Sequence, residues 1–359
     1  MTAKAWLDDA IDLAVARTRK VSETITDFPH ITEKGAWKTT PDGVWTGGFW
    51  AGLLWLSHAR TQDPALLERA EHFTDRLLAR RHDATNHDLG FMFVPSAVAG
   101  WRQTGRTDYL EAALDAARAL AGQYNPQARY IPGWGFFGSE DWSGNVLVDT
   151  LMNLPFLVWA VEQGADKGLL EVVRNHVETS LKYVQRADGS VYHRYRFDPA
   201  TGAPIGGDTY QGFGPESSWT RGQGWAIGGL AMLGARLGDA SYIAASERVA
   251  DYFLSALPED GIAPWDFHAT GEVVPKDSSA SAIAAFGLLR LHGATGNARY
   301  LEASETLLQA LYRDCANRGE AGGLLLHATA DLPHGLGVDE SVMYGDYYYL
   351  KALMEHSAR

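Results

Sequence analysis

The chain has 359 residues, with 31 Lys and Arg against 44 Asp and Glu, which gives a formal net charge of −13. Hydrophobic residues make up 46% and charged residues 21%, a composition typical of a globular protein. The acidic balance argues against nucleic acid or an anionic membrane as a partner, because both require a basic surface. The single cysteine, Cys315, excludes an intramolecular disulfide and a zinc site built on several cysteines.

The start of the chain and its hydropathy bear on location. No segment approaches the roughly 18 consecutive apolar residues that a membrane span requires. Near the N-terminus, Asp8 and Asp9 lie where a signal peptide would be apolar. We therefore expect a cytoplasmic protein with no membrane partner.

The chain begins with a predicted amphipathic helix over residues 4–20, and five pairs of helices follow it. The first helix of each pair is apolar or small on nearly every face, which predicts burial on every face. These helices are predicted over 46–60, 88–104, 145–164, 219–238 and 278–296. The second helices are amphipathic, and they open with similar sequences: Leu66-Leu-Glu-Arg-Ala70, Tyr109-Leu-Glu-Ala-Ala113, Leu169-Leu-Glu-Val-Val173, Tyr242-Ile-Ala-Ala-Ser246 and Tyr300-Leu-Glu-Ala-Ser304.

Glycine marks four of the turns between paired helices, at Gly105, Gly164, Gly238 and Gly296, as expected just past a helix C-terminus. A last apolar segment, 339–356, predicts another inner helix that would pair with the helix at 4–20. The repeats therefore predict an all-α fold, an (α/α)6 toroid of six helical hairpins in a single domain over residues 1–359. An open solenoid is the alternative, but it would need polar end caps, and the split sixth pair favours closure.

A long stretch interrupts the repeats. Residues 187–218 are rich in glycine, proline and tyrosine, and they predict a loop that holds a short β-hairpin. Long ordered loops commonly carry function.

Polar and aromatic residues collect where the inner helices begin. Because the inner helices of a toroid run parallel, their N-termini meet at one mouth. The residues predicted there are Trp45, His87, Asp88, Asn145, Trp219, Arg221, Asp277, Ser278, Asp339 and Ser341. Taken singly, Asp88, Asp277 and Asp339 could be simple N-caps.

Asp149 differs from these acids, because the pattern places it one turn inside a buried helix. A buried unpaired carboxylate costs several kcal/mol and tends to hold its proton instead. A carboxyl group protonated near neutral pH is suited to act as a general acid. The structural alternative is an Asp that hydrogen-bonds to a neighbouring helix.

Arg221 and Trp225 are four residues apart and share a helix face. A guanidinium beside an indole suits an acidic sugar, since the fork pairs with a carboxylate and the ring packs on the sugar. The alternative is a structural Arg–Asp pair inside the toroid.

Two other segments carry weaker signals. His193 lies in a predicted loop, where exposure to solvent is the simplest expectation. The segment Gly133-Trp-Gly135-Phe-Phe-Gly138 matches a dinucleotide-binding motif, but no strand is predicted before it and its aromatic residues would block a phosphate cradle.

Several motifs, in order over about 300 residues, resemble the unsaturated glucuronyl hydrolases of glycoside hydrolase family 88. They are Trp45-Thr-Gly-Gly-Phe-Trp50, His87-Asp-Leu-Gly-Phe91, Asp149-Thr-Leu-Met-Asn-Leu-Pro155, Tyr192-His193, Phe197-Asp-Pro-Ala-Thr-Gly202, Gln211-Gly212, Trp219-Thr-Arg-Gly-Gln-Gly-Trp225 and Gly345-Asp-Tyr-Tyr-Tyr349. The fold of that family, an (α/α)6 barrel, agrees with the repeats. The resemblance implies an enzyme that hydrates the C4=C5 bond of an unsaturated uronic acid at the end of a lyase-generated oligosaccharide.

The resemblance also implies roles for individual residues. Asp149 matches the acid that protonates C4 and then assists water addition at C5, and Asp88 matches a second acid that positions the sugar. The matching substrate-contacting positions are His87, Trp134, His193, Gln211, Arg221 and Trp225, with Trp45, Thr209, Trp219 and Ser341 as neighbours. The sequence itself gives no sign of a metal ion or cofactor, and we expect a monomer or homodimer.

Two residues depart from the family pattern: Tyr210 stands where we expect histidine, and Gly224 where alanine is common.

Four alternative functions stay open. An unsaturated rhamnogalacturonyl hydrolase would carry Asn in place of Gln223 and lack the Tyr192-His193 loop. An inverting glycosidase would need two carboxyls about 6.5–9.5 Å apart. A sugar epimerase would need a histidine pair, and a glycan-binding module would need no buried acid. The upstream polymer is equally open, from glycosaminoglycans to other polyuronides.

Overall fold

The computed structural model describes residues 5–133 and 142–359, and helices dominate it. In chain order they are α1 (Ala5–Ser22), α2 (Gly47–Thr61), α3 (Pro64–Leu77), α4 (Leu89–Phe93), α5 (Ala99–Thr104), α6 (Thr107–Gly122), α7 (Thr150–Glu162), α8 (Leu169–Thr179), α9 (Thr220–Leu237), α10 (Ala240–Ala256), α11 (Ser278–Thr295), α12 (Ala298–Ala310) and α13 (Met343–Ser357). Shorter helical turns cover Leu78–Arg80, Val94–Val98, Ser180–Val184 and Leu311–Cys315.

The inner helices close into a ring. Contacts run from α2 to α4, then to α7, α9, α11 and α13, and α13 returns to α2. The outer helices α3, α6, α8, α10 and α12 pack on the ring, and α1 packs on α13. The (α/α)6 toroid is therefore confirmed, including the sixth pair that joins the two ends of the chain, and an open solenoid is excluded. The single domain over residues 1–359 stays a prediction.

Local sequence explains how the pairs turn and pack. Gly105, Gly164, Gly238 and Gly296 all have positive φ, between 66° and 95°, at the ends of their helices. Outer helices bury one stripe, as α6 does with Tyr109, Ala113, Ala116 and Leu120, whereas α11 is buried from Ser278 through Leu289. A side chain at Gly229 in α9 would collide with the Leu151 carbonyl of α7, so glycine permits this close approach.

Three predicted inner helices have different bounds. The helix predicted over 88–104 is divided into α4 and α5 by a π-helical turn that holds Pro95, which lacks an N–H and crowds the carbonyl four residues earlier. The helix predicted to start at residue 145 starts at Thr150, because residues 145–147 form a strand. The last one starts at Met343, because residues 336–340 also form a strand. The prediction of Asp339 as an N-cap is therefore wrong.

Three small antiparallel sheets precede inner helices in the chain. β1 (Phe28–Glu33) pairs with β2 (Ala36–Thr40) before α2, and β6 (Ala328–Asp331) pairs with β7 (Leu336–Glu340) before α13. The third sheet has the order β3 (Asn145–Leu147), β4 (Arg194–Phe197) and β5 (Pro204–Asp208). The hairpin predicted within 187–218 is confirmed, and it also pairs with the strand that leads into α7. None of the helices in the two described ranges is both long and apolar enough to cross a membrane.

Candidate active site

A pocket opens where the inner helices begin. It is lined by Trp45, His87, Asp88, Trp142, Leu147, Asp149, His193, Tyr210, Gln211, Trp219 and Arg221. Most of the residues predicted from the sequence are thus brought together at the N-terminal mouth of the ring. Trp142, Leu147 and Tyr210 were not among the predicted site residues, although Tyr210 was singled out as a departure from the family pattern.

Asp149 lies at the N-cap position of α7, not one turn inside the helix as predicted. The strand β3 pairs with β4 up to Leu147, so the helix cannot begin earlier. The Asp149 carboxyl makes no capping hydrogen bond, and 14% of its side chain remains exposed. Burial and then the neighbouring Asp88 raise its pKa to about 7, against an opposing effect of His87 and Arg221.

Asp88 occupies the corresponding position before α4, again without a capping hydrogen bond. Its Oδ1 accepts a hydrogen bond of 2.9 Å from Asn153 Nδ2, and burial raises its pKa to about 7 in spite of this bond. Asn153 also accepts from the Phe91 backbone N–H at 2.8 Å and donates to the Asp149 carbonyl at 3.3 Å. Asn153 therefore links both acids. Sequence reasoning missed it, although an amide four residues after an acid in an apolar helix was a usable signal.

His193 is buried, so the expectation of exposure is wrong. Its Nδ1 accepts hydrogen bonds from the backbone N–H groups of Tyr210 at 3.0 Å and Gln211 at 3.2 Å. An Nδ1 that accepts leaves the proton on Nε2, which lies 3.8 Å from Asp149 Oδ2. Burial holds the pKa of His193 well below its usual value, so the ring is neutral near pH 7 and presents an N–H to Asp149.

His87 lies on the other side of the acids, with Nε2 3.5 Å from Asp88 Oδ1. Burial lowers its pKa to about 4, with a partly opposing effect of Asp149. His87 is therefore also neutral near pH 7. The two histidines supply polar contacts to the carboxyls without adding positive charge.

Arg221 lines the pocket, but its guanidinium is held by the protein itself. Nη1 donates to Asp277 Oδ2 at 2.6 Å and to the Thr329 carbonyl at 2.8 Å, and Nη2 donates to the Ala330 carbonyl. The group also lies over the rings of Trp219 and Tyr344, 4.4 and 4.9 Å from their centroids. The structural Arg–Asp pair that was left as the alternative is therefore present, with Asp277 as partner.

Three residues predicted to contact substrate do not line the pocket. Trp225 is buried below it against Phe91 and Tyr348, with ring centroids 4.8 and 5.4 Å apart. Thr209 lies behind His193, and its hydroxyl accepts from the Gly212 N–H at 2.8 Å. Ser341 donates to the Leu325 carbonyl at 2.6 Å and accepts from Gly323 at 3.0 Å. Trp134 lies outside the described residues.

Aromatic rings form much of the pocket wall. Trp45 stacks on Tyr344 with centroids 5.1 Å apart, His193 packs on Trp219 at 4.4 Å, and Trp142 meets Tyr210 edge-on at 5.4 Å. Gln211 also lies there and donates to the Ala330 carbonyl at 3.0 Å. Such walls pack well against the C–H faces of a sugar ring.

The site can perform proton transfer near neutral pH. Two carboxyls with pKa values raised into the working range face one pocket, and each has a neutral imidazole beside it. Within the described ranges no group of three or more His, Cys, Asp or Glu side chains is placed to hold a metal ion. The absence of a metal or cofactor requirement stays a prediction.

Comparison with known proteins gives a match over nearly the whole chain. The model of Glycosyl Hydrolase Family 88 matches residues 14–352. The unsaturated glucuronyl hydrolase of Bacillus sp. (strain GL1) is 36% identical over 361 residues, covering 97% of this chain and 95% of that protein. The unsaturated chondroitin disaccharide hydrolase of Streptococcus pyogenes serotype M1 is 34% identical over 97% of this chain and 90% of its own length. A solved structure of a UGL variant with dGlcA-Glc-Rha-Glc superposes with a TM-score of 0.92 at 34% identity, covering 97% of this chain and 96% of that one.

Proposed function

Because the chain belongs to glycosyl hydrolase family 88 and is a glycosidase, we propose that it removes a Δ4,5-unsaturated glucuronic acid from the non-reducing end of lyase-generated oligosaccharides. The observation that carries the proposal is the pair Asp88 and Asp149, two carboxyls with pKa raised to about 7 in one aromatic pocket. The reaction is hydration of a vinyl ether. A proton adds to C4 and the oxygen of water adds to C5, after which the hemiketal opens and the neighbouring sugar is released.

Asp149 is the proposed acid. Its carboxyl keeps a proton near pH 7 because burial and the charge of Asp88 both disfavour ionisation. Its oxygens are not used for capping and face the pocket. Asp149 gives its proton to C4, and the resulting carboxylate accepts a proton from the water that adds to C5. The acid is thereby restored, and the net change is addition of one water across C4=C5.

His193 is the proposed partner of the carboxylate. Since its Nδ1 is already occupied by two backbone N–H groups, its Nε2–H can donate only towards the pocket, where Asp149 lies. A neutral N–H donor stabilises the Asp149 carboxylate after proton transfer. A cation at the same place would lower the pKa of Asp149 so far that the acid would be ionised before the reaction begins. This arrangement suits a residue that must both release and recover a proton.

Asp88 is the proposed positioning acid. Asn153 occupies one of its oxygens, so the other remains available to sugar hydroxyls. The charge of Asp88 is also the second largest cause of the raised pKa of Asp149. We assign the walls formed by Trp45, Trp142 and Trp219 to the sugar faces.

Gln223 favours this activity over that of an unsaturated rhamnogalacturonyl hydrolase. Its amide donates to the Val191 carbonyl and accepts from the Val191 N–H, both at 3.1 Å, and so fixes the loop that leads to His193. The shorter side chain of Asn would not span this distance from the same backbone position. A chain that carries Gln here and Tyr192-His193 directly after Val191 matches the glucuronyl pattern at both points.

We further propose that the substrates are fragments of glycosaminoglycans or other polyuronides, in line with the named relatives. The protein would act in the cytoplasm as a monomer or homodimer, without metal or cofactor. The single cysteine is in keeping with a reducing compartment.

The test follows the ultraviolet absorbance of the conjugated C4=C5 carboxylate. Unsaturated disaccharides made by chondroitin, hyaluronan and heparin lyases are mixed with the protein, and saturated glycosides of the same sugars serve as controls. We expect absorbance to fall with at least one unsaturated disaccharide and no saturated glycoside to be cleaved. Cleavage of a saturated glycoside without any loss of absorbance would replace the proposal with direct glycoside hydrolysis.

A further inference from the structure

A second cavity lies at the opposite end of the ring. Its volume is about 350 Å³, and residues from all six inner-helix positions line it, most of them in the C-terminal halves of those helices. This size falls in the range of small-molecule sites. Its walls are mainly apolar and aromatic, and they include Trp55, Phe156, Trp159 and Phe286.

The rim of this cavity is basic, in a chain with a net charge of −13. Arg102, Arg236, Arg290 and Lys351 line it, and Glu355 is the only acid among the described residues that do so. Glu355 pairs with both Arg290 and Lys351, and Arg236 lies 3.5 Å from Glu162. The Arg102 side chain is exposed and forms no hydrogen bond or ion pair with any described residue, although Tyr347 and Glu162 are near enough to act on its charge. Positive charge is therefore left over after the internal pairs are formed.

The cations also weaken one another's protonation. Burial, and then Arg290 and Arg102, lower the pKa of Lys351 to about 8. Burial, and then Arg359, lower the pKa of Arg290 to about 10. A bound anion would reduce the repulsion between these like charges.

Helix dipoles do not explain all of these cations. Arg102 and Arg236 lie in the last turns of α5 and α9, where the negative end of the dipole favours them. Arg290 and Lys351 lie more than one turn before the ends of α11 and α13, where that effect has faded. Tyr347 and Tyr348 also line the cavity. Their hydroxyls make no hydrogen bond with any described residue, so both can contribute polar groups to the cavity wall.

We propose that this cavity binds a small organic carboxylate with an apolar ring as its body. The rings of Trp55 and Trp159 pack against that body, and Arg102, Arg290 and Lys351 bind the carboxylate. The site is separate from the catalytic pocket, because Phe91, Trp225 and Tyr348 pack between the two. The proposal does not depend on the reaction at the other mouth.

Calorimetric titration with 2-naphthoate tests the proposal. A matched probe, 2-naphthol, has the same rings without the carboxylate, and acetate has the carboxylate without the rings. We expect one 2-naphthoate per chain with a dissociation constant below about 1 mM, and at least tenfold weaker binding of both other probes. Equal binding of 2-naphthol would show that the carboxylate contributes nothing, and equal binding of acetate would show that the apolar ring contributes nothing; either result overturns the proposal.

Variants locate the binding. Arg102→Gln combined with Lys351→Gln should weaken 2-naphthoate binding at least tenfold. The matched control is Arg118→Gln with Lys182→Gln, which removes the same charge from exposed positions outside the cavity and should leave binding unchanged. Arg102→Gln alone, at an exposed side chain that forms no ion pair, is the second test if the double variant has a lower melting temperature than the native protein. Unchanged binding in the Arg102 variants, or no saturable binding to the native protein, overturns the proposal.

Discussion

The two ends of the ring hold opposite charges under opposite helix dipoles. At the N-terminal mouth, the positive ends of the dipoles face Asp88 and Asp149, and at the other end the negative ends face Arg102 and Arg236. The dipole alone would hold the two acids ionised, yet burial raises the pKa of each to about 7. The dipole therefore favours these four charges at the ends where they lie, whereas burial decides whether the two acids keep their protons.

Three aspartates that each directly precede an inner helix differ in whether they cap it. Asp277 caps α11 by accepting from the Ser279 N–H at 3.1 Å, and it also pairs with Arg221. Asp88 and Asp149 precede their helices in the same way but make no capping bond. A helix-opening aspartate that leaves its helix uncapped, within reach of a pocket, is the better candidate for chemistry.

The largest expected effect is that of Asp149→Asn. Because the amide has the same shape but no acidic proton, the rate of vinyl-ether hydration should fall about 10²–10⁴-fold, the usual contribution of a general acid. The melting temperature should stay the same or rise, since an ionisable group leaves a buried site. Initial rates on the best unsaturated disaccharide and a thermal melt measure the two quantities. A variant that keeps its activity would remove Asp149 from the mechanism.

Substitution of Asp277, unlike that of Asp149, should lower the stability of the protein. Asp277→Asn leaves the buried Arg221 without its ion partner, which should lower the free energy of unfolding by about 3–5 kcal/mol. Urea denaturation measures it. The exposed pair of Asp115 and Arg118 is the control, because Asp115→Asn should cost no more than about 1 kcal/mol. Equal costs in the two variants would contradict the structural role of the Asp277 pair.

The coupling of the two acids predicts a shift in pH dependence. Protonated Asp149 is the active form, so activity should fall as pH rises through its pKa, which burial and then Asp88 raise to about 7. Asp88→Asn removes the second cause, lowers that pKa, and moves the alkaline limb of kcat/KM to lower pH. Profiles between pH 5 and 9 test this, with Asp12→Asn on the exposed face of α1 as control. An alkaline limb that stays in place would show that the acids are uncoupled.

Local patterns predicted the ring, but not how short strands cut into it. The amphipathic period of α6 and the glycine turns are encoded within a few residues, so the helical pairs could be predicted. The strand Asn145–Leu147 could not, because a short apolar run next to a buried helix has the same composition as the helix. That strand moved Asp149 to the N-cap, and its pairing with β4 buried His193, both through contacts distant in sequence.

The sequence predicted which residues lie near the pocket better than it predicted where their side chains point. Trp225 shares a face with Arg221, but four residues along a helix is a rise of about 6 Å, which carries its ring below the pocket floor. Ser341 precedes α13 as expected, yet its hydroxyl is consumed by Leu325 and Gly323. Sequence spacing indicates which residues approach a mouth, whereas the hydrogen bonds that occupy them depend on loops from elsewhere in the chain.

The smallest expected effect concerns the loop that positions His193. In Gln223→Asn the shortened amide keeps at most one of its two hydrogen bonds to Val191, so the free energy of unfolding should fall by about 1 kcal/mol. Because the lost bond frees the loop rather than removing an acid, KM should rise more than kcat falls, and the alkaline limb should not move. Gln309→Asn on the exposed face of α12 is the control. A fall in kcat as large as that of Asp149→Asn, with KM unchanged, would instead place the amide among the groups that act on the reacting atoms.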